Sequence, residues 1–352
     1  LMVLSVAASV IVMNVQELAK ATWEDLPLSQ RLANSAVSYV GYLYHAAWPL
    51  NLSVHYLHPR HSLSPATVVA SLVTLLAITL VILFPLRHLR YLTVGWLWYL
   101  GALVPVIGLI QVGEQAIADR YAYVPLIGIW MILAFGLVDL VRWKPTLRTP
   151  TAFLVVVWLL ALTVLAQKQV AFWRGEIPLW QHALEIDENN YRAHVELAVA
   201  LRREGRLEES LSHYDRAAQL ELHRVEVHTN FAEALILAGQ TEAAEAPLRQ
   251  ALRIAPESVV AHYWLGVLLI EQGRPADGVA ELRTALTRLR EASEQGLPTE
   301  VAELDILYNL AVGFIAAGQH VDAIEILSQE LRIDPHNEEE QRASKTKYPK
   351  LE

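Results

Sequence analysis

YRAHVELAVALRREG, residues 191–205, returns as VEVHTNFAEALILAG at 225–239, VVAHYWLGVLLIEQG at 259–273 and LDILYNLAVGFIAAG at 304–318. Each copy closes on a glycine, Gly205, Gly239, Gly273 or Gly318, which marks the turn between two helices. With the glycines aligned, Leu197, Phe231, Leu265 and Leu310 fall at one packing position of the first helix. Small residues fall into line as well: Ala198, Ala232, Gly266 and Ala311 in the first helix, and Ser210, Ala244, Gly278 and Ala323 in the second. A period near 34 with paired amphipathic helices is the signature of a solenoid whose units bury their apolar faces against one another. Pro256 and Pro335 close their units, as residues that cannot continue a helix should.

The pattern resembles the tetratricopeptide (TPR) type, with repeats near 191–224, 225–258, 259–292 and 304–337. Before the first copy, Trp180, Ala183 and Leu184 followed by Asp187 to Asn190 read as the second helix of a partial leading repeat over 171–190. Between the third and fourth copies, residues 287–303 add a lengthened helix and a loop around Gly296 and Pro298. From Glu338 to residue 352 the chain becomes charged and Lys-rich, a frayed tail.

Upstream of Trp173 the character changes. Residues 62–86 hold no ionisable side chain except at their flanks, enough for a helix of about 20 residues across a hydrocarbon core of roughly 30 Å. Similar runs follow at 91–112, 121–138 and 149–166, with Trp96, Trp98, Tyr121, Tyr123, Trp143 and Trp158 as candidate interfacial aromatics. Four such runs in succession are hard to bury without lipid. The expected fold is therefore all-α: a polytopic transmembrane helix bundle over 1–170, followed by a TPR α-solenoid over 171–340.

The loops give an orientation. Arg87, His88 and Arg90 lie in one and Arg142, Lys144 and Arg148 in another two spans later, whereas the loop between carries Glu114, Asp119 and Arg120. The basic loops are expected on the cytoplasmic side. The chain is then an integral membrane protein of the bacterial inner membrane or endoplasmic reticulum type, with its repeats periplasmic or lumenal. Residues 32–54 are apolar but interrupted by Asn34, His45, Pro49 and Asn51, and read equally as a span or a re-entrant segment. Residues 1–13 read as the end of a span, so that Leu1 is an internal start.

Charge sharpens the division. Residues 1–150 hold nine Lys+Arg against six Asp+Glu, and the remainder 19 against 31, within a chain of net charge −9. So acidic a repeat surface repels phosphates, which argues against nucleic acid as a partner. With no cysteine in the chain, thiol chemistry and Cys-type zinc sites are excluded.

The loop before the third clear span reads GEQAIADRYAYVP over 113–125, preceded by WPLNLS at 48–53 and GWLWYLGALVP at 95–105. Together with the downstream repeats it resembles the C-terminal half of the TPR-containing, multispanning O-mannosyltransferase-like proteins of the GT-C glycosyltransferase superfamily. The resemblance implies transfer of a sugar from a polyprenyl-phosphate donor to Ser or Thr hydroxyls of an acceptor protein on the extracytoplasmic side. It also implies a catalytic base upstream of Leu1, which leaves the supporting half of a site here. Arg120 is expected to hold the lipid-linked phosphate, which suits a bidentate guanidinium. Asp119 and Glu114 are expected to orient Arg120 or to bind a divalent cation, and Tyr121 and Tyr123 to line the donor path.

Three histidines, His194, His228 and His262, recur at the repeat period. Equivalent positions in stacked repeats lie about 8–10 Å apart. That is too far to share one ion whose nitrogen ligands sit at roughly 2.1 Å, so no metal site is expected. They are expected instead, with Asn230 and Asn309, on a concave face that binds acceptor or partner protein. His55, His58 and His61 form another group, but Pro59 disfavours the helix that would bring them together. Asn51-Leu-Ser53 matches a glycosylation sequon. The alternative to a glycosyltransferase is a non-catalytic, membrane-anchored TPR scaffold for protein–protein interaction.

Overall fold

The computed structural model describes residues 27–59, 62–109, 115–298 and 301–333. Glu114, His61, Pro335, residues 1–13 and the charged tail lie outside the described residues. All named elements among the described residues are helical, and the chain divides into two compact units, Leu1–Ala193 and His194–Glu352. The division falls some twenty residues beyond the boundary expected near 170, so the leading repeat helix counts with the apolar helices.

In the first unit α1 spans Leu28–Ala47, α2 Pro65–Leu83, α3 Arg90–Leu103, α4 Tyr123–Trp143, α5 Arg148–Phe172 and α6 Glu176–Ile186. Ser64 caps α2 by accepting from the Thr67 N–H, with Pro65 at the first helical position, where its missing N–H costs nothing. Among the described residues three segments are long and apolar enough to cross a membrane: Pro65–Leu83, Asp119–Trp143 and Pro145–Phe172, with hydropathies of 2.6, 2.3 and 2.2. α5 has no fully buried residue, and most of its Leu, Val and Phe side chains are exposed, with a half-buried stripe that includes Val155, Leu162 and Leu165. Tyr123 and Trp143, exposed at 79% and 73%, stand at opposite ends of α4.

The run expected to span at 91–112 is not one helix of bilayer length among the described residues. α3 has 14 residues, about 21 Å of helix, and stops before Pro105, which has no N–H to continue the ladder. The chain after it is irregular, and its backbone carbonyls are answered by one face of α1. Arg31 Nη1 donates to Leu109 O at 3.1 Å, Ser35 Oγ to Ile107 O at 3.2 Å and Asn34 Nδ2 to Ala116 O at 3.3 Å. Tyr39 Oη donates to Leu100 O at 2.8 Å, while Tyr42 Oη donates to Ala118 O and accepts from its N–H, both at 3.1 Å. Of the residues that interrupt the apolar run at 32–54, Asn34 lies on the buried side of α1 with Ser35 and Ser38, all under 5% exposed, whereas Pro49 and Asn51 lie beyond the end of the helix. Unpaired buried carbonyls would each cost roughly 1–3 kcal/mol.

α3 is also the most enclosed of these helices. Trp96, expected at an interface, is buried and donates from Nε1 to Thr79 Oγ1 on α2 at 2.9 Å. On the other side α3 meets α4 backbone to backbone at Gly95 and Gly128, where a methyl on Gly95 would lie 2.5 Å from Gly128 O.

The second unit continues the α7 helix, Tyr191–Arg203, into α8 Leu207–Leu220, α9 Val225–Leu237, α10 Thr241–Ile254, α11 Val259–Glu271, α12 Pro275–Glu294, α13 Glu303–Ala316 and α14 His320–Ile333. The four aligned glycines adopt φ between 74° and 77°. Each turn closes with the same six-residue bond, Arg206 N to Leu201 O, Gln240 N to Leu235 O, Arg274 N to Leu269 O and Gln319 N to Phe314 O. This is a left-handed helix stop that satisfies a terminal carbonyl. The small-residue rows sit at the helix contacts: Ala198, Ala232, Ser210 and Ala244 are fully enclosed. In the third repeat Gly266 and Gly278 bring the helices closer, a methyl on Gly266 lying 2.6 Å from Leu282 Cγ. α9, α11 and α13 touch in succession and form the inner layer. α12 runs to 20 residues where α8, α10 and α14 have 14, as the extra sequence there predicts.

Candidate functional site

The motif loop is organised around Tyr56. Leu57 pairs with Gln115 in an isolated antiparallel bridge, and Ala116 N donates to Tyr56 O at 2.9 Å. This brings Tyr56 to the short 3₁₀ turn Asp119–Ala122 that starts α4. Its hydroxyl is shared between the two Asp119 carboxylate oxygens at 3.1 Å each and also receives the Ser53 N–H at 2.7 Å. Burial, and then the negative charge of Asp119, raise the phenol's pKa, so Tyr56 is a donor at every physiological pH. His45, the last basic residue of α1, places Nδ1 3.7 Å from Asp119 Oδ1 and its ring 5.5 Å from that of Tyr56.

Asp119 therefore does not orient Arg120, as the sequence suggested. A tyrosine hydroxyl and a nearby imidazole occupy it instead. The Arg120 Nη2 lies 3.5 Å from both Gln115 Oε1 and Tyr121 Oη, contacts at the limit of hydrogen bonding. Its guanidinium sits 4.9 Å over the Tyr121 ring. Among the described residues no carboxylate pairs with it, and the side chain is exposed. Tyr121 packs against the cluster around Tyr42 and Tyr99, whereas Tyr123 points outward. The two tyrosines are thus not neighbours on one path. Glu114 lies outside the described residues, and no three His, Asp or Glu side chains among the described residues converge as a metal-binding group.

Two residues that sequence reasoning passed over tie this loop to the chain that follows. Gln169, near the end of α5, donates from Nε2 to Leu52 O at 3.0 Å. Asn190 is 1% exposed; its Oδ1 accepts from the Ala193 N–H at the start of α7, and its Nδ2 donates to His55 O at 3.1 Å. One amide side chain is thus both helix cap and clasp. Asn in the quoted 187–190 turn was visible in the sequence, but its partner is 135 residues away.

In the repeats the periodic histidines turn inward rather than onto a binding face. His194 and His228 are buried, at 8% and 5% exposure. His228 donates from Nε2 to Leu222 O at 3.0 Å, and His262 likewise to Pro256 O at 2.9 Å, six residues back in each case. Nδ1 faces the second helix 19 residues on: His194 meets His213 Nδ1 at 2.9 Å and His262 meets Glu281 Oε2 at 2.6 Å. The same step from His228 reaches Pro247, which offers no partner atom. With acceptors on both nitrogens, His262 is favoured as imidazolium, and its pKa is raised, chiefly by Glu281. Burial, and then the charge of His194, lower that of His213. Asn309 is also committed, donating to Tyr263 Oη at 3.2 Å and to Asp305 O at 2.8 Å. Asn230 remains half-buried on the first helix of its repeat.

Family models described as tetratricopeptide repeat match residues 177–221 and 235–297. The chain carries TPR repeats, and the first match takes in α6, as the leading half-repeat requires. Among solved structures, one titled as a MamA protein shares 15% identity, over 52% of this chain and 90% of that one, with a TM-score of 0.38. A MamA fragment from Desulfovibrio magneticus RS-1 shares 15%, over 46% and 85%, at 0.40. YrrB, titled a TPR protein with an unusual peptide-binding site, shares 16%, over 59% and 97%, at 0.39. No curated protein sequence matches the chain.

Proposed function

We propose that this chain is a membrane-anchored TPR protein whose repeat array binds a partner protein on the extracytoplasmic side. The observation that carries it is the pairing, in one chain, of TPR repeats with helices whose apolar side chains face outward. The repeats supply an inner layer of first helices for an extended segment. Membrane lipid covers α2, α4 and α5, where burying so much exposed apolar surface is strongly favourable, at about 25 cal/mol per Å². We place the loops of Arg87 and Arg90 and of Arg142, Lys144 and Arg148 together on the cytoplasmic side, the chain from α3 through its irregular continuation crossing outward and α4 crossing back.

Site-specific photo-crosslinking in intact membranes tests this reading. Probes at Val199 and Tyr308, on first helices, are expected to yield a discrete protein adduct, while a probe at Glu208, exposed on the second helix of the first repeat, yields none. Equal labelling at all three positions, or adducts at none, overturns it.

A second reading is favoured by Arg120. An exposed guanidinium at the end of apolar helices, beside the Tyr56–Asp119–His45 cluster, suits the phosphate of a lipid-linked sugar. On this reading the chain is the supporting part of a glycosyltransferase, Arg120 holds the polyprenyl phosphate, and a divalent cation beside Asp119 is an optional companion. Arg120→Lys is the test, because an ammonium keeps the charge but loses the bidentate fork. Binding of a polyprenyl-phosphate sugar to the protein in neutral detergent is expected to weaken at least tenfold. Unchanged binding removes Arg120 from the site.

A further inference from the structure

The lengthened α12 does more than space the repeats. Its last turn and the loop after it fold back over the first turns of α9 and α11, leaving a notch of about 250 Å³. Val225, Val259, Val260, Leu297 and Pro298 line it, and Leu297 stands 50% exposed at its lip. At this size it lies below the range of roughly 300–1,000 Å³ typical of cofactor and drug-sized pockets. It matches one large aliphatic or aromatic side chain.

The polar atoms around it favour one sign of partner. The Ser258 hydroxyl is spent capping α11, accepting from the Ala261 N–H at 3.3 Å, and the Thr229 hydroxyl donates to Val225 O and Glu226 O. Glu226 contributes an exposed carboxylate to the lining. It stands in the first turn of α9, where a carboxylate answers the helix dipole, so an incoming anion gains nothing there. The surrounding field has the same sign: residues 151–352 carry 31 Asp+Glu against 19 Lys+Arg.

We propose that the notch receives one large apolar side chain from an extended basic segment of a partner protein, with Glu226 holding a neighbouring Lys or Arg of that segment. This rests on the protein-binding reading and names the chemistry of the partner. In an extended peptide alternate residues share a face, so apolar and basic side chains two apart enter the notch and meet Glu226 together.

The probe is a fluorescein-labelled 12-residue synthetic peptide with Leu-Ser-Lys-Ser repeated at its centre, so that each Leu has a Lys two residues away on the same face. It is titrated by anisotropy against the full chain in neutral detergent, beside twins with Glu for Lys or Ser for Leu. Both twins are expected to bind at least tenfold more weakly. Leu297→Ser, on an exposed loop, and Val260→Asp are each expected to cost a similar factor with helical circular dichroism unchanged. Glu226→Lys should shift the preference toward the Glu twin. Equal binding of the Lys/Leu peptide to wild type, Leu297→Ser and Glu226→Lys overturns the notch, while adducts at Val199 and Tyr308 would leave the broader protein-binding reading standing. Failure of the wild type to bind the peptide overturns it as well.

Discussion

A single side chain can hold a joint, and Asn190 does. Its amide caps α7 and clasps the carbonyl of His55, so Asn190→Ala removes a helix cap and a buried hydrogen bond together. A loss of about 1–2 kcal/mol is expected, read as a lowered midpoint in denaturant, with Asn190→Asp recovering only the cap. The glycines make a second contrast. A methyl at Gly273 meets nothing within 4 Å, yet φ is 76°, so Gly273→Ala is expected to cost about 1–2 kcal/mol from backbone strain alone. At Gly266 the backbone is ordinary but the space is filled by Leu282 and Gly278 O. Gly266→Ala should therefore cost more, about 1–3 kcal/mol by overpacking, and a Gly266 variant should relax when Leu282 is shortened while a Gly273 variant should not.

At the scale of elements, the repeats were legible from sequence because their contacts are local and recur. A turn glycine, a large packing residue (Leu197, Phe231, Leu265, Leu310) and a small residue each appear four times, and repetition separates signal from chance. The break in the helix within 91–112 shows the opposite. Hydropathy cannot see that Pro105 ends α3, nor that Asn34, Ser35 and Tyr39 lie far upstream to receive the carbonyls released. The Tyr56–Asp119 contact, 63 residues apart, was equally hidden, and sequence adjacency made Asp119 look like a partner of Arg120. The histidines misled because period was read as shared exposure, when His194 and His262 clasp the second helix of their own repeat and His228 holds a carbonyl of the preceding one. That clasp gives a pH prediction of opposite signs. His213 has a lowered pKa when folded, so acidification below its unfolded value near 6.5 weakens repeat one. His262 has a raised pKa, so its contribution is complete below about 6.5 and fades as pH rises through the folded value. Hydrogen exchange corrected for intrinsic rates should show α8 less protected at pH 5.5 than at pH 8, and α11 more protected.

For the whole molecule, two units of different chemistry share one chain. The first holds its irregular segments by side chains reaching across 61 to 82 residues; the second is held by neighbours. Denaturation followed by probes in each unit should therefore give two transitions rather than one. The proposed topology makes its own prediction: protease added to sealed inverted membrane vesicles should spare the repeats, and added after detergent should remove them. Digestion before detergent would reverse the orientation.

The inward polar face of α1 also carries a cost in time. Its side chains are synthesised first, and the carbonyls that receive them, from Leu100 to Ala118, arrive 61 to 82 residues later. At roughly 5–20 residues per second of translation, α1 waits about 3 to 16 s for its partners. During that interval Arg31, Asn34 and Ser35 must be satisfied by water or by the insertion machinery. A ribosome stalled before residue 118 would hold a helix not yet able to bury its own polar side.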